Sequence, residues 1–492
     1  MIAQHLPILV VLTFFAGALL MPLAGLLHRR APWMVAVCTC FTATLAAVYA
    51  LLHVAAEGTV RYAMGGWRPP IGIELVADPL STFVAVVLGL LSLIVMVHSR
   101  EPVEREIEGE PITYYASAML LLGGLSGIVM TGDLFNLYVF LEISSLASYA
   151  LLGCGSARAS VSAFRYLMLG TLGASFYLIG VGFMFVDTGS LNMADVTAIF
   201  AETGLTPLTT LAVIFILVGM GIKMALLPLH QWLPDAYTYA PATSTALIAP
   251  IGTKVAAYVL IRLLYEVFPA EAIRHLHLLD VIAALGAVGI IWGSVMALPQ
   301  KNIKRMLAYS SVAQIGYIAL GIGLGTTYGF IGAILHILNH ACMKGCLFMV
   351  TANLEARGKG IRIDGLTAEL RREMPVTAAC FTIAAISMIG LPPTAGFFSK
   401  WYLLLGSYEE GRWIYIAVIL ISSLLNAVYF FRIIERMYLG GGEEAPAQAP
   451  SPRGTALLIG PVLALGLSLI ALGVGNLLIV NYFILPMLPF AP

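Results

Sequence analysis

Residues 221–241 read GIKMALLPLHQWLPDAYTYAP, and residues 388–404 read MIGLPPTAGFFSKWYLL. In the first stretch Pro228 lies five residues after Lys223, and in the second a Pro-Pro pair that begins at Pro392 precedes a lysine. Proline removes a backbone donor and clashes with the preceding turn, so an apolar helix breaks or unwinds there. Broken helices at matching places in two halves of a membrane protein are typical of an inverted-repeat transporter and its ion path. An ordinary proline kink is the alternative for either stretch taken alone.

The composition is that of a membrane protein. Of the 492 residues, 60% are hydrophobic and 11% are charged, whereas soluble domains have about 45–50% and about 25%. The mean hydropathy is +0.93. Disorder, a collagen helix and a disulfide framework are excluded by this composition. The 26 basic and 26 acidic residues balance, which argues against nucleic acid as a partner. We therefore expect an all-α, polytopic protein whose surroundings are the lipid bilayer.

A membrane-crossing helix needs about 20 mostly apolar residues, and the chain has about fourteen such segments. In order, they are 7–27, 32–56, 78–98, 112–131, 133–153, 164–186, 207–229, 240–265, 277–298, 304–324, 326–352, 375–398, 412–438 and 454–484. No alternating pattern of 9–11 residues indicates a transmembrane barrel. The first segment has its arginines after it rather than before it, so we interpret it as an uncleaved helix and not as a signal peptide.

Lysine and arginine indicate which loops are cytoplasmic. Seventeen of the 26 basic residues fall on the side of the loops that follow odd-numbered segments, and six fall on the other side. This bias predicts a bacterial inner-membrane protein with the odd loops in the cytoplasm and both termini outside. The three remaining basic residues, Lys223, Lys254 and Lys344, lie inside apolar segments.

Glu142 joins these three lysines at membrane depth, because it lies within the fifth apolar segment. A charge there costs roughly 2.5–3.5 kcal/mol on insertion scales, and such residues persist where they are paired or line a wet path. Burial disfavours the charged form of acids and bases alike, and a Glu–Lys pair that opened and closed would switch the protonation of its lysine. A static buried salt bridge that fixes helix packing is the alternative.

The eleventh segment contains GAILHILNHACMKGCLFMV (332–350), in which His336, His340 and Lys344 are spaced i, i+4, i+8. These three residues, the His–Lys stripe, share one helix face. Histidine titrates near neutral pH, so the stripe suits a proton relay. A metal site is the competing functional interpretation, but a third ligand is lacking and Lys344 would repel the cation, so we predict no metal. Histidines that are satisfied by neighbouring helices are the structural alternative.

Several polar residues flank the two breaks. Lys400 is either a path residue or an interface lysine that snorkels to the headgroups. His230 and Asp235 are either gating groups or outer-loop residues, and we include Pro228 and Pro392 with them as possible gating positions.

No cofactor site is evident in the sequence. The six cysteines form no C-x-x-C pair, which makes ligation of a metal cluster improbable. No phosphate loop, dinucleotide fingerprint or nucleophile elbow occurs in a suitable context. We therefore expect no cofactor and no redox or hydrolytic site in this chain.

The chain divides, on the positions of the breaks, into two five-helix repeats with flanking parts. The parts are an N-terminal region 1–111, a first repeat 112–265, a second repeat 277–438, a linker 439–453 and a last helix in 454–492. The linker is rich in glycine and proline and is expected to be flexible. The stretch 187–206 is expected to hold a short amphipathic helix at the outer interface.

Four stretches, in the same order as in the family, resemble the antiporter-like subunits of respiratory complex I. They are GIKMALLPLHQWLPDAY (221–237), LPQKNIKRMLAYSSVAQIGYI (298–318), HILNHACMKGCLFM (336–349) and GLPPTAGFFSKW (390–401). Within this family, FLEISSLASYALL (140–152) and GSLNMADV (189–196) are most similar to the D subunit of Mrp-type multisubunit cation/proton antiporters. The resemblance implies fourteen helices with two inverted five-helix repeats.

The resemblance also implies residue roles. Glu142 corresponds to the family's glutamate that pairs with a lysine, here Lys223, and Lys254 to the lysine that passes protons toward the second half-channel. The His–Lys stripe matches the family's relay positions. Lys400 matches the terminal path residue, which is lysine in the D subunit and glutamate in the complex I M subunit. The two histidines of the stripe, however, resemble the complex I L subunit, so the family is clearer than the subfamily.

The sequence therefore predicts an ion-translocating subunit of a multisubunit monovalent cation/proton antiporter, with Na⁺ as the expected cation. The expected partners are other membrane subunits of an Mrp-like or complex I-like assembly. One alternative is the proton-pumping subunit of a complex I-like or membrane hydrogenase complex. The other is a structural membrane scaffold that carries no ions.

Overall fold

The protein is almost entirely helical in the computed structural model, which describes residues 2–107, 111–440 and 456–489. In chain order the α-helices of these residues are α1 (Leu6–Leu27), α2 (Ala31–Glu57), α3 (Pro79–His98), α4 (Arg100–Glu106), α5 (Pro111–Met130), α6 (Leu134–Gly153), α7 (Ala157–Thr188), α8 (Met193–Thr203), α9 (Pro207–Met224), α10 (Trp232–Tyr239), α11 (Ala242–Arg262), α12 (Ala270–His275), α13 (Leu278–Ala297), α14 (Ile303–Leu324), α15 (Thr327–Ala356), α16 (Glu369–Glu373), α17 (Pro375–Ile389), α18 (Ala395–Glu409), α19 (Trp413–Leu439), α20 (Ala456–Val474) and α21 (Asn476–Ile479). Strands β1 (Val60–Ala63) and β2 (Glu74–Ala77) form one antiparallel hairpin.

Fourteen membrane crossings are present in these ranges, as predicted. Thirteen helices are each long and apolar enough to cross a membrane, and the shorter pair α17 and α18 makes one further, broken crossing. A short helix, α8, forms within the stretch 187–206 as predicted, and its location at the outer interface stays a prediction. The β-hairpin was not predicted, because strands of four residues are too short to show a periodic pattern. The predicted linker falls at 441–453 outside the described residues.

Polar side chains fix where six of the crossing helices begin. Each accepts a hydrogen bond from a backbone N–H of the first turn, which contributes about 1 kcal/mol. They are Asp78 (α3), Asp133 (α6), Ser156 (α7), Thr206 (α9), Asn302 (α14) and Thr326 (α15). The apolar runs set the length of each helix, and these caps set its starting point.

Two five-helix repeats organise the crossings, one containing α5 to α11 and the other α13 to α19. In each repeat the fourth crossing is broken. Helix α9 ends before Ala225, which has a φ of 60°, and α17 ends before Gly390, which has a φ of 90°. Because five crossings separate equivalent positions, the second repeat enters the membrane from the opposite face. The inverted topology expected from the two proline-containing stretches is therefore confirmed.

Three helices form the centre of the molecule. In α11, α14 and α15, 94% of the most apolar window is buried, whereas the value for α19 is 28%. The tight packing around this centre needs small residues. A Cβ atom added to Gly286 of α13 would lie 2.7 Å from the carbonyl oxygen of Gly316 in α14. Any charged residue on the central helices is therefore shielded from lipid by surrounding protein.

Candidate functional site

Glu142 and Lys223 approach each other inside the first repeat. The carboxylate Oε1 of Glu142 lies 4.0 Å from Nζ of Lys223, and this oxygen has no hydrogen-bond partner among the residues described. Lys223 instead donates to Oγ of Ser145 at 2.8 Å. Ser145 is one turn beyond Glu142 on α6, so the amine lies between a hydroxyl and a carboxylate on one helix face. Lys223 therefore has the Ser145 hydroxyl as its hydrogen-bond partner, and the Glu142 carboxylate lies beyond hydrogen-bond distance.

The first break holds Lys223 at a helix end. Lys223 is in the last turn of α9, and the next residue but one, Ala225, adopts a left-handed conformation. The indole N–H of Trp232 donates to the carbonyl oxygen of Ile222 at 2.8 Å, and the backbone N–H of Ala225 donates to the same oxygen at 3.1 Å. Trp232 also stacks on Tyr166, with ring centroids 3.8 Å apart. The break is therefore a packed structure and not a frayed end.

A small cavity with mostly apolar walls and a few polar groups lies between Lys223 and the central helix α11. It has a volume of about 40 Å³ and is lined by Lys223, by Ser145 and Ser148 of α6, and by Thr253 of α11, among others. A cavity needs roughly 10–15 Å³ and several polar partners to hold a water molecule. Both conditions are met, so the cavity can carry a hydrogen-bonded link from α9 to α11.

Lys254 lies on the far side of that link. Its Nζ donates to the carbonyl oxygen of Ala249 at 2.6 Å and to Oγ1 of Thr253 at 3.3 Å. Lys254 is 3% exposed. Because Thr253 both lines the cavity and accepts from Lys254, it joins the two lysines through one side chain and the cavity.

The His–Lys stripe lies on one face of α15, as its spacing predicts. The rings of His336 and His340 have centroids 5.9 Å apart and are nearly parallel. Both nitrogens of His336 are hydrogen-bonded, Nδ1 to Ser399 Oγ at 2.9 Å and Nε2 to Gln314 Oε1 at 2.8 Å. The structural alternative, a histidine satisfied by neighbouring helices, therefore describes the contacts of His336.

His340 has the opposite environment. It is fully buried, and neither ring nitrogen has a hydrogen-bond partner within the described part of the chain. A buried imidazole with two free nitrogens is costly unless water or a transferred proton meets it. Lys254 and Lys344 of the central helices are both within electrostatic range of His340.

Lys344 is also fully buried and is held against α14. Its Nζ donates to the carbonyl oxygen of Leu307 and to Oγ of Ser310, both at 2.6 Å. The ring of Phe348 lies 5.8 Å from the same atom. Lys344 therefore has polar partners at membrane depth, none of them an acid in the described ranges.

Lys400 is buried after the second break and does not reach the membrane surface. Its exposed fraction is 4%, and Nζ donates to the carbonyl oxygens of Met388 and Ile389 at 3.0 Å each and to Ser423 Oγ at 3.1 Å. The two carbonyls are those that the end of α17 leaves without helical donors. The interpretation of Lys400 as a snorkelling interface lysine is therefore wrong for this fold.

Aromatic and hydroxyl groups join Lys400 to the His–Lys stripe. Nζ of Lys400 lies 4.8 Å from the ring centroid of Tyr317, and that ring is 5.4 Å from the ring of His336. Ser399, which contacts His336, is the neighbour of Lys400 on α18. Contacts thus join the predicted path residues into two groups, Glu142 with Lys223 and His340 with His336 and Lys400. Lys254 and Lys344 lie buried on the central helices α11 and α15. Together we call the seven residues the buried chain, with Glu142 as its partly exposed member.

The proposed gating residues lie apart from this chain. Asp235 bridges two arginines, Arg165 of α7 and Arg305 of α14, each at 3.3 Å. Both arginines are among the basic residues on the face that the charge bias predicts to be cytoplasmic. Asp235 therefore lies on that face, which disagrees with its interpretation as an outer-loop residue. His230 is buried, and its Nδ1 has no partner among the described residues. Pro228 lies in the first break and Pro392 in the second.

A second titratable cluster, outside the crossing segments, was missed by the sequence analysis. The Glu106 carboxylate accepts from the N–H and Oγ1 of Thr243, both at 3.4 Å. Burial, with a smaller contribution from the charge of Glu355, raises the pKa of Glu106 to about 7 against the opposing effects of Lys304 and the Thr243 hydrogen bonds. Lys304 in turn lies 3.6 Å from Glu355. No sequence signal distinguished Glu106, because it occurs in an ordinary charged loop.

The sequence analysis also missed the uncharged residues that contact the path residues. Ser145, Thr253, Gln314, Ser399 and Tyr317 supply the hydrogen bonds and contacts between the ionisable groups. Gln314 was the most detectable, because an amide within an apolar helix is rare. Among the described residues, no three His, Cys, Asp or Glu side chains converge to hold a metal ion.

The fold and this chain of buried groups define a polytopic membrane protein with an internal polar path. A family model described as NADH:quinone oxidoreductase/Mrp antiporter, TM matches residues 131–426. This range is more than half of the chain and contains every path residue. The protein therefore belongs to this family.

The relatives of this chain include subunits of NADH-quinone oxidoreductases and subunits of Na⁺/H⁺ antiporters. The chain is 47% identical to the N subunit of the NADH-quinone oxidoreductase of Desulforudis audaxviator, over 87% of each chain. It is 31% identical to the D subunit of the Na⁺/H⁺ antiporter of Bacillus subtilis, over 85% of this chain and 84% of the relative. A chain in the membrane-bound sulfane sulfur reductase, an archaeal respiratory membrane complex, superposes with a TM-score of 0.87 at 29% identity, over 98% and 96% of the two chains. The family is thus shown, and the kind of complex is not distinguished by these matches.

Proposed function

We propose that this protein is the ion-translocating membrane subunit of a multisubunit assembly and that it moves protons along the buried chain. The observation that carries the proposal is the presence of two connected groups of ionisable residues within the crossing helices, Glu142 with Lys223 and the histidines with Lys400. We propose that Lys254 links these two groups. Proton transfer needs groups that can gain and lose a proton, linked by hydrogen bonds or water. The relatives are subunits of larger complexes, which supports membrane proteins as partners.

In this mechanism the Glu142–Lys223 pair controls the first step. When Lys223 is close to Glu142 its ammonium form is favoured, and when it turns toward Ser145 and the cavity it can give up the proton. Thr253 and the cavity pass the proton to Lys254. The stripe and Ser399 then carry it to Lys400, next to the second break.

The first candidate for the driving process is exchange of protons for a monovalent cation, with Na⁺ as the expected ion. It is supported by the relation to the D subunit of the B. subtilis antiporter and by the lysine at position 400, which the D subunit shares. We place the protein in a bacterial inner membrane, with both termini outside.

The second candidate is proton pumping in a redox complex of the complex I or membrane hydrogenase type. The 47% identity to the N subunit of an NADH-quinone oxidoreductase favours it. Purification through a tag on this chain separates the two. Co-purifying iron–sulfur proteins would establish the redox assembly, and membrane subunits alone would establish the antiporter.

The proposed path is tested with Glu142→Ala and Lys223→Ala in everted vesicles. Both variants should lose proton flux driven by the cation, or by the electron donor if the complex is a redox enzyme. Lys359→Ala is the matched control, because Lys359 pairs with Glu373 at 2.7 Å on the surface. Wild-type flux from both path variants at normal expression would reject the proposal and leave the membrane scaffold as the alternative.

A further inference from the structure

A cavity beside the turn between α1 and α2 lies far from the proton path. Its volume is about 420 Å³, within the roughly 300–1,000 Å³ of small-molecule sites. The end of α1, the turn itself, the start of α2, helix α4 and the start of α5 form its walls. The apolar residues Leu26 and Leu27, in the last turn of α1, are 84% and 82% exposed next to it. The cavity therefore lies at the boundary between the apolar belt and one membrane face.

Three arginines line this cavity, with Glu104 as the one carboxylate among its lining residues. Glu104 pairs with Arg100 at 3.9 Å, and both side chains are partly exposed. Arg29 and Arg30 form no hydrogen bond or ion pair through their side chains within the described ranges. Two exposed guanidinium groups that have no ion pair among the described residues, beside a concave space, are suited to bidentate recognition of a phosphate.

The N-terminus of α2 adds to the positive potential. Arg30 is the residue that precedes this helix of 27 residues, and no side chain caps its first turn. The helix dipole at such an end favours an anion, whereas the backbone adds little, because the N–H of Ala31 donates to the carbonyl oxygen of His28 at 2.9 Å and Pro32 has no N–H. The helix end, the arginines and the cavity thus all favour negative charge at the same place.

Aromatic side chains hold the site in shape. The indole N–H of Trp33 donates to the carbonyl oxygen of Met96 at 2.9 Å, and the guanidinium of Arg100 lies 5.4 Å from the Trp33 ring. Tyr115, also in the lining, bonds through its hydroxyl to Ser99 Oγ at 3.2 Å. Tryptophan and tyrosine at this depth are typical of the headgroup region.

We propose that this cavity binds the phosphate headgroup of an anionic phospholipid, such as phosphatidylglycerol or cardiolipin. A basic pocket between crossing helices is the setting in which such headgroups are recognised. The exposed leucines of α1 give the acyl chains an apolar surface, which free phosphate would not need. The site is on the side that the basic residues predict to be cytoplasmic, and it does not depend on the function proposed above.

Lipid analysis of the purified assembly gives the first test. We expect the wild type to retain anionic lipid through detergent washes and the Arg29→Gln/Arg30→Gln variant to lose most of it. Arg158→Gln is the matched control, an exposed arginine on the same predicted side that does not line the cavity. Equal retention by wild type and the double variant, or no retained anionic lipid in the wild type because a partner subunit fills the cavity, would overturn the proposal.

Titration of the delipidated assembly identifies the ligand. Phosphatidylglycerol in mixed micelles should raise the wild-type Tm, whereas phosphatidylcholine and inorganic phosphate should not. Each arginine removed should weaken the apparent Kd about five-fold, since a basic residue near an anionic surface contributes about 1 kcal/mol. Arg100→Gln serves as a second variant if the double variant unfolds in phosphatidylcholine. Equal stabilisation by inorganic phosphate would indicate a free-anion site and reject the lipid.

Discussion

The four lysines of the path differ in the groups that surround their amines. Lys254, Lys344 and Lys400 donate to backbone carbonyls and hydroxyls, whereas Lys223 also has a carboxylate at 4.0 Å. A neutral oxygen accepts from an amine and from an ammonium alike. These contacts therefore hold the three lysines in place in either protonation state, and the acid–base switch is concentrated at Glu142 and Lys223.

Gly390 is required by the position of Lys400. Its φ is 90°, and a Cβ atom there would lie 2.9 Å from Cδ of Lys400. We expect Gly390→Ala to destabilise the protein by about 1–2 kcal/mol through backbone strain and to reduce proton flux by displacing the lysine. Vesicle flux and thermal stability in detergent measure the two effects.

Gly411→Ala is the control for that substitution. Gly411 also has a positive φ, 64°, but its Cβ would meet no atom within 4 Å. Gly411→Ala should therefore lower the thermal stability about as much as Gly390→Ala does, and the proton flux should stay normal. Equal flux from both variants would show that Lys400 does not need its present position.

Glu106 gives a pH-dependent prediction. Its pKa is raised to about 7 from an ordinary 4.5, so Glu106 lowers the free energy of unfolding increasingly as the pH rises from about 4.5 to about 7, and by its full amount above pH 7. Glu106→Gln should therefore stabilise the protein at pH 8.5 by up to about 2 kcal/mol, at 1.36 kcal/mol per pKa unit and less for partial exposure, and by less than half as much at pH 5.5. Thermal unfolding at the two pH values measures this difference.

The exposed Glu369 serves as the control position for Glu106. Glu369→Gln should change the Tm by a similar small amount at both pH values. If Glu106→Gln also shows no difference between pH 5.5 and pH 8.5, the local charge balance at Glu106 has been assigned incorrectly.

At the scale of elements, each broken helix exposes backbone carbonyls in the membrane, and side chains satisfy them. Trp232 does so for α9 and Lys400 for α17. The positions of both breaks could be predicted, since proline acts through local backbone chemistry. The partners of the freed carbonyls could not, because they come from residues 10 to 12 positions away whose approach depends on tertiary packing.

Trp232→Phe tests the importance of the first break. Phenylalanine keeps the aromatic contact with Tyr166 but removes one of the two donors to the Ile222 carbonyl, which then keeps the N–H of Ala225. A hydrogen bond contributes about 0.5–1.5 kcal/mol, so we expect a modest loss of thermal stability, and reduced flux because Lys223 is adjacent to Ile222. Trp413→Phe, at an exposed site in α19, should change neither. Unchanged flux and stability for Trp232→Phe would mean that the Ala225 N–H alone is enough to hold the break.

The whole molecule shows what a sequence can and cannot reveal. The crossings, the inversion and the ionisable residues at membrane depth follow from apolar runs and rare charges, which are visible one segment at a time. The connections do not, since Thr253, Gln314 and Ser399 are common residues whose role depends on which helices meet. Lys400 shows the limit clearly, because its neighbours in sequence fit an interface lysine as well as a path residue.

One path through both repeats predicts a definite result for a double substitution. If Lys223 and Lys400 act in series, Lys223→Ala and Lys400→Ala each block the same proton, so the double variant should retain the flux of the more damaged single variant. Two independent half-channels would instead each carry part of the flux, so the flux lost in the double variant would equal the sum of the two single losses. Residual flux in proteoliposomes, measured for the wild type, both single variants and the double variant, separates these outcomes. Additive losses would show that the buried chain is divided between the repeats, and the link through Thr253 would then not carry protons.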